Sequence, residues 1–224
     1  MALHRNARVA ALVVHVVAGV AATAAQAVPV TPDELVKVCA QAEGSADCGR
    51  LVEAAQLARL PNLATRDGPT LKVSLFPAGI ATFADAEAQN GGRSYSLWDY
   101  MSEINAVVLY TTDGDGANFT LLQRATGRKT ELPSDPKLSP DRARLVTADF
   151  CETRCVNELA VWRVTKDGVQ KEWTWKPKET WIDAAASWKN DDTVAIDYTV
   201  AGTTTKAHVE RRLADASWTR AAPR

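Results

Sequence analysis

Residues 144–175 read RLVTADFCETRCVNELAVWRVTKDGVQKEWTW, and the fold class turns on this stretch. Three runs rich in β-branched and aromatic residues, Arg144–Phe150, Glu158–Thr165 and Gln170–Trp175, are separated by a cysteine-flanked loop and by Asp167-Gly168. Such residues suit a pleated, half-buried surface. An Asp-Gly pair between two such runs is a hairpin signal. The stretch therefore reads as three consecutive antiparallel strands.

The pattern extends in both directions. Leu71–Phe76, Ser94–Met101, Ala106–Thr111 and Asn118–Arg124 lie upstream, and Thr193–Val200, Lys206–Leu213 and Ser217–Arg220 lie downstream. Turn residues punctuate them at Asp113-Gly114-Asp115-Gly116, Thr126-Gly127, Asp135-Pro136, Asn190-Asp191 and Ala201-Gly202. The expected fold is mainly β, with antiparallel sheets of a propeller-like or sandwich type. An internal repeat supports blade-like units: Leu121–Gly127 is similar to Val161–Gly168 and Val209–Asp215, with Arg124, Arg163 and Arg212 spaced 39 and 49 residues apart. About three such repeats are expected over residues 66–224.

Leu138-Ser139-Pro140-Asp141, followed by Arg144-Leu145-Val146 and then by Leu159–Val164, resembles the WD40-like repeat of TolB-type periplasmic β-propellers. The likeness spans roughly residues 104–220. It implies a Ser-Pro-Asp turn ahead of the inner strands of a blade, and a role as a protein-interaction platform. The sequence departs from the repeat at Arg142, where Gly is usual, and at Leu138, where an aromatic is usual.

Ahead of the strands, residues 28–65 read as a helical hairpin. Thr31-Pro32-Asp33-Glu34 combines a capping residue, a proline at the first helical position and the acid of a capping box. Gly44-Ser45 separates this helix from a second one carrying Leu51, Val52, Ala55 and Ala58, which Pro61 stops. Residues 1–27 have the three parts of a secretory leader: Arg5 and Arg8, the apolar run Val9–Ala18, and a small-x-small site at Ala25-Gln26-Ala27. The apolar run is too short for a membrane-spanning helix, which needs about 20 residues. No membrane span is expected after cleavage, and the expected destination is the periplasm or the medium. Removing 27 of the 224 residues leaves 24 Lys and Arg against 27 Asp and Glu. That balance gives no electrostatic footprint for nucleic acid.

An exported chain with four cysteines points to two disulfides. Three pairings are possible, and closeness in sequence favours Cys39–Cys48 with Cys151–Cys155. The spacings are poor for zinc.

Histidine is scarce. Of His4, His15 and His208, only His208 survives loss of the leader, and it sits in an alternating strand. This excludes a multi-histidine metal centre and leaves little for a nucleophile–histidine site. Asp113, Asp115 and Asn118 place oxygen ligands in a Gly-rich loop and form a candidate calcium site, with a plain hairpin loop as the simpler reading. Trp173 and Trp175 are two apart, so they share one strand face. With Trp181 they form a candidate aromatic platform for a sugar or peptide, set against core packing. The acids Asp183, Asp191, Asp192, Asp197 and Glu210 are the material for a carboxylate-dependent glycan hydrolase. The leading expectation is an exported, non-catalytic domain that binds a protein or envelope component. A glycan hydrolase and a calcium-stabilised structural module are the alternatives.

Overall fold

The computed structural model describes residues 30–87, 92–114 and 116–222. The expected leader and Asp115 lie outside them. Two helices open the chain, α1 (Pro32–Cys39) and α2 (Ser45–Arg59). The capping box forms as its residues require: Glu34 N–H donates to Thr31 Oγ1 at 3.2 Å and Thr31 N–H to Glu34 Oε2 at 3.0 Å. A Cys39–Cys48 disulfide joins the end of α1 to the first turn of α2, and Cys151–Cys155 closes the second expected pair.

The rest of the described residues form mainly β structure, arranged as four antiparallel sheets, none of them closed. Sheet I holds β1 (Ala64–Asp67), β2 (Thr70–Ser74) and β3 (Ile80–Ala84). Sheet II holds β4 (Ser94–Met101), β5 (Ala106–Asp113), β6 (Gly116–Gln123) and β7 (Arg128–Leu132). Sheet III begins with β8 (Lys137–Leu138), β9 (Arg144–Asp149), β10 (Glu158–Thr165) and β11 (Gly168–Trp175). Sheet IV holds β12 (Trp181–Trp188), β13 (Thr193–Val200) and β14 (Lys206–Arg212). The chain then returns: β15 (Thr219–Arg220) pairs with β11 and becomes the outer strand of sheet III.

The sheets stack in chain order, with an apolar layer in each gap. Leu71, Val73 and Phe83 of sheet I meet Leu97, Leu109 and Leu122 of sheet II. Val108, Phe119 and Leu121 on the other face of sheet II meet Leu145, Ala160 and Trp162 of sheet III. Val146, Leu159 and Trp175 meet Trp181, Val194 and Ile196 of sheet IV. The middle sheets are thus apolar on both faces. This is why β5 reads Ala-Val-Val-Leu rather than alternating.

Several expectations need correction. The stack has four sheets rather than about three units. Sheet I begins at Ala64, inside the stretch expected to be helical. Strands β1, β3, β7, β8 and β12 lie outside the runs expected as strands, and Ala184-Ala185-Ala186 in β12 has no strand propensity of its own. Arg142 sits at φ 62°, the left-handed region that favours glycine. Its turn is held from both sides, because Ala143 N–H donates to Asp141 Oδ1 and Arg144 N–H to Ser139 Oγ.

One edge of sheet II meets a helix instead of a strand. The free side of β4 lies along α2, and α2 turns toward it a face of Gly49, Val52, Glu53 and Gln56. Glu53 is 3% exposed and Gln56 1%. Their side chains take the hydrogen bonds a neighbouring strand would have taken. Leu97 N–H donates to Glu53 Oε2 at 2.9 Å, and Gln56 Nε2 donates to the Trp98 carbonyl at 2.8 Å. Arg50 donates to the Tyr95 carbonyl at 2.7 Å, and Tyr95 N–H donates to Asp85 at 2.9 Å. Arg66 ties the clasp together, pairing with Glu53 at 2.7 Å and with Asp85 at 3.3 Å. A buried carboxylate is tolerated only when paired and hydrogen-bonded, and Glu53 is both. The clasp also covers an exposed strand edge, the usual template for unwanted pairing.

Candidate functional site

The clasp fixes β4 where it matters. The register of β4 on β5 shifts between Leu97 and Asp99, so Trp98 is the extra residue of a bulge. Bulges re-aim side chains. Here Trp98 and Asp99 line a cavity of about 350 Å³ bounded by the leading strands of sheets II, III and IV. The opposite wall is Ala184, Ala185 and Ala186 of β12, beside a second register shift between Ile182 and Ala185. Asp135 and Lys137 line it from the approach to sheet III, and Val30 and Leu35 from the N-terminal segment.

The polar groups in this cavity are unequal. Asp135 is paired with Lys137 at 2.5 Å. Asp99 accepts only the N–H of Tyr100, at 2.8 Å, and has no ion-pair partner among the described residues. Burial pushes the Asp99 carboxyl above the usual Asp value. The Tyr100 N–H and the Lys137 ammonium oppose that push, while the carboxylates of Asp135 and Glu103 add to it. A carboxyl raised this way in a cavity is a recurrent mark of functional sites. The sequence pointed to neither Asp99 nor Asp135. They lie 36 positions apart, and only the stacking of sheets II and III brings them to one wall.

A second depression, of about 310 Å³, lies at the Cys151–Cys155 loop and is lined by Phe150, Cys151, Glu152, Ile182 and Asp183. The loop is pinned at several points besides its disulfide. Val156 N–H donates to Asp149 at 3.2 Å. Asn157, at φ 50°, donates from Nδ2 to the Cys151 carbonyl at 3.1 Å and accepts the Trp181 N–H at 3.1 Å. Val156 stands 58% exposed at the end of this pinned loop.

The expected aromatic platform does not form as an exposed face. Trp175 is 8% exposed and Trp181 5%, both inside the layer between sheets III and IV. Trp173 is half-buried, with the Arg144 guanidinium 5.2 Å from its ring centroid. The buried side of the sheet claims these rings because they carry the largest apolar area. Of the candidate calcium ligands, Asp113 is engaged by Arg93, whose Nε lies 3.1 Å away. Asn118 Oδ1 is buried on β6 without a hydrogen-bond partner among the described residues. Among the described residues no group of three or more His, Cys, Asp and Glu side chains is placed to hold a metal.

His208 lies on the open face of sheet IV, with Nδ1 2.8 Å from Asp197 and Nε2 3.7 Å from Glu210. The hydrogen bond to Asp197 holds its pKa above the ordinary 6.5, and Glu210 adds to this. Asp197 and Glu210 flank this histidine on a solvent-facing sheet and frame no cleft. Among the described residues no helix is long and apolar enough to cross a membrane. Comparison with known proteins finds no matching family model, no matching curated protein and no matching solved structure.

Proposed function

We propose that this chain is an exported, non-catalytic domain that binds a protein or a cell-envelope component through the Cys151–Cys155 loop and the depression beside it. The observation that carries this reading is the combination of exposure and rigidity in one loop. Val156 is 58% exposed, yet its backbone is held by Asp149 and the neighbouring Asn157 bridges the loop to β12. A loop ordered in advance does not lose conformational entropy on binding, so its contacts go into affinity. The two disulfides fit an oxidising compartment. The stack of four meandering sheets supports the likeness to propeller blades, which commonly present their loops to protein partners.

The test is site-specific photo-crosslinking in the intact envelope. A photoreactive residue at Val156 is expected to trap one discrete partner. The same residue at Thr65, exposed on sheet I, is expected not to. The adduct should disappear when Cys151 and Cys155 are both replaced by serine. Equal labelling from the two positions, or none from Val156, contradicts the proposal.

A further inference from the structure

The cavity beside Trp98 sets a paired carboxylate next to one that lacks a cation. Asp135 has Lys137 at 2.5 Å. Asp99 accepts one hydrogen bond, from Tyr100 N–H to Oδ1 at 2.8 Å, and its Oδ2 takes none among the described residues. Burial is the main cause that lifts the Asp99 carboxyl, and the carboxylates of Asp135 and Glu103 add to it. A cation brought to Asp99 offsets all of these. Around the acids the wall is apolar, made of Leu35, Trp98, Ala148 and the three alanines of β12.

We propose that this cavity binds a small primary amine: the ammonium group pairs with Asp99, and a short aliphatic chain lies against Trp98 and the alanines of β12. It uses no residue of the Cys151–Cys155 loop, so it stands or falls apart from the docking role of that loop. The volume of about 350 Å³ is at the small end of ligand sites, which run from about 300 to 1,000 Å³. Both walls depart from regular pairing where they line the space: Trp98 is the extra residue of the β4 bulge, and the β12 register shifts between Ile182 and Ala185. Bulges of this kind are frequent beside binding sites, where they re-aim side chains. Ala184, Ala185 and Ala186 carry one methyl each, where strands favour bulkier β-branched residues. The space in front of β12 follows from that missing bulk.

The donor set selects the class of cation. Calcium takes about six to eight oxygens. The side chains of the described lining offer Asp99, Asp135 already held by Lys137, and Ser134, whose Oγ accepts the Ala148 N–H at 2.9 Å. A guanidinium is held best by both oxygens of a carboxylate side by side, and Asp99 Oδ1 already accepts the Tyr100 N–H. A quaternary ammonium calls for a cage of aromatic rings, and Trp98 is the one aromatic ring on the described lining. A primary ammonium is a compact charge with rotatable donors. It needs one carboxylate oxygen without a partner, and Asp99 Oδ2 is such an oxygen. Lys137 limits the affinity, because by neutralising Asp135 it weakens the negative field at Asp99.

The experiment is an NMR titration of the protein, as the cell makes it, with butylammonium chloride, followed at the Trp98 indole N–H and the Tyr100 amide. Saturable shifts with a Kd of about 1 mM or tighter are expected. Butanol, equal in length but uncharged, should bind about tenfold more weakly or worse. This comparison needs no variant. D99N should weaken butylammonium by about tenfold or more. Lys137→Met should act in the opposite direction and tighten it by about threefold, because Asp135 is left without its cation. Ala185→Leu adds bulk from an exposed position on the cavity wall, and should abolish the shifts without disturbing the core. No saturable shift, equal binding of butanol, undiminished binding in D99N or Ala185→Leu, or no tightening in Lys137→Met overturns the proposal. Displacement of butylammonium by calcium also overturns it, since the site then belongs to a metal. So does tighter binding of a lysine tripeptide blocked at both ends, since the site then docks a protein side chain rather than a small amine.

Discussion

Sheet II meets α2 through a layer of charge, whereas sheets III and IV meet through aromatic rings. In the first region Glu53 and Gln56 are buried against the backbone of β4, and Arg50, Arg66 and Asp85 complete the pairing. In the second, Trp181 stacks on Tyr198 with centroids 3.5 Å apart, and Trp175 and Phe150 pack at 5.2 and 5.5 Å. The difference follows from what each partner offers. A sheet face presents side chains and is best covered by apolar area. A sheet edge presents N–H and C=O groups, and leaving these unpaired when buried costs more than hiding apolar surface gains. A helix laid on an edge must therefore be polar on its buried side.

The largest effect expected is in the aromatic layer. Trp181→Ala removes the ring shared by three neighbours and should cost about 3–5 kcal/mol in urea unfolding. If it costs under about 1 kcal/mol, the layer between sheets III and IV is not the core described. Glu53→Gln keeps the shape of the clasp and one acceptor but removes its charge. The expected loss is about 1–3 kcal/mol by the same measurement, because Arg66 is left half-buried with one partner fewer. Opening the Cys151–Cys155 loop with paired serines should cost about 2 kcal/mol, since the closed loop is only four residues long in sequence separation. A larger loss would mean that sheets III and IV depend on the staple more than on the rings.

Gly49→Ala sharpens the comparison further. On an exposed helix face this change stabilises by up to about 1 kcal/mol. At Gly49 the new Cβ would sit 2.8 Å from a Tyr110 ring carbon and 2.9 Å from Ser96 Oγ. Net destabilisation is therefore expected, showing that α2 lies against β4 without slack. The smallest effect concerns His208. By NMR its midpoint should lie above 6.5, and Asp197→Asn should bring it down. Because the folded pKa is raised, any stability it contributes is present below pH 6.5 and is lost as pH rises through the folded value. It is exposed, so that contribution is minor beside either layer.

The two regions were also unequally legible in the sequence. The capping box at Thr31, the paired cysteines and the β-branched and aromatic runs of β10, β11 and β13 follow from residues a few positions apart. Local rules govern these, and the structure contains them. The clasp was not legible. No local pattern marks Glu53 and Gln56 as buried, and their partners are backbone groups more than 40 positions away. Strand β12 was hidden for a related reason: its three alanines favour a helix locally, and only pairing with β13 makes it a strand. The cavity was invisible because Asp99 and Asp135 belong to different sheets. The tryptophans were visible as a shared face, but periodicity gives no sign of which face is buried.

The claim on which this comparison depends is that α2 stands in for a missing strand along β4. Native-state hydrogen exchange at the Leu97 amide tests it directly, since that N–H donates to a glutamate side chain and to no strand. The expected result is protection comparable to that of the β5 amides in the wild type, falling by at least tenfold relative to β5 in Glu53→Gln. A Leu97 amide that already exchanges at the rate of an open edge in the wild type would contradict it.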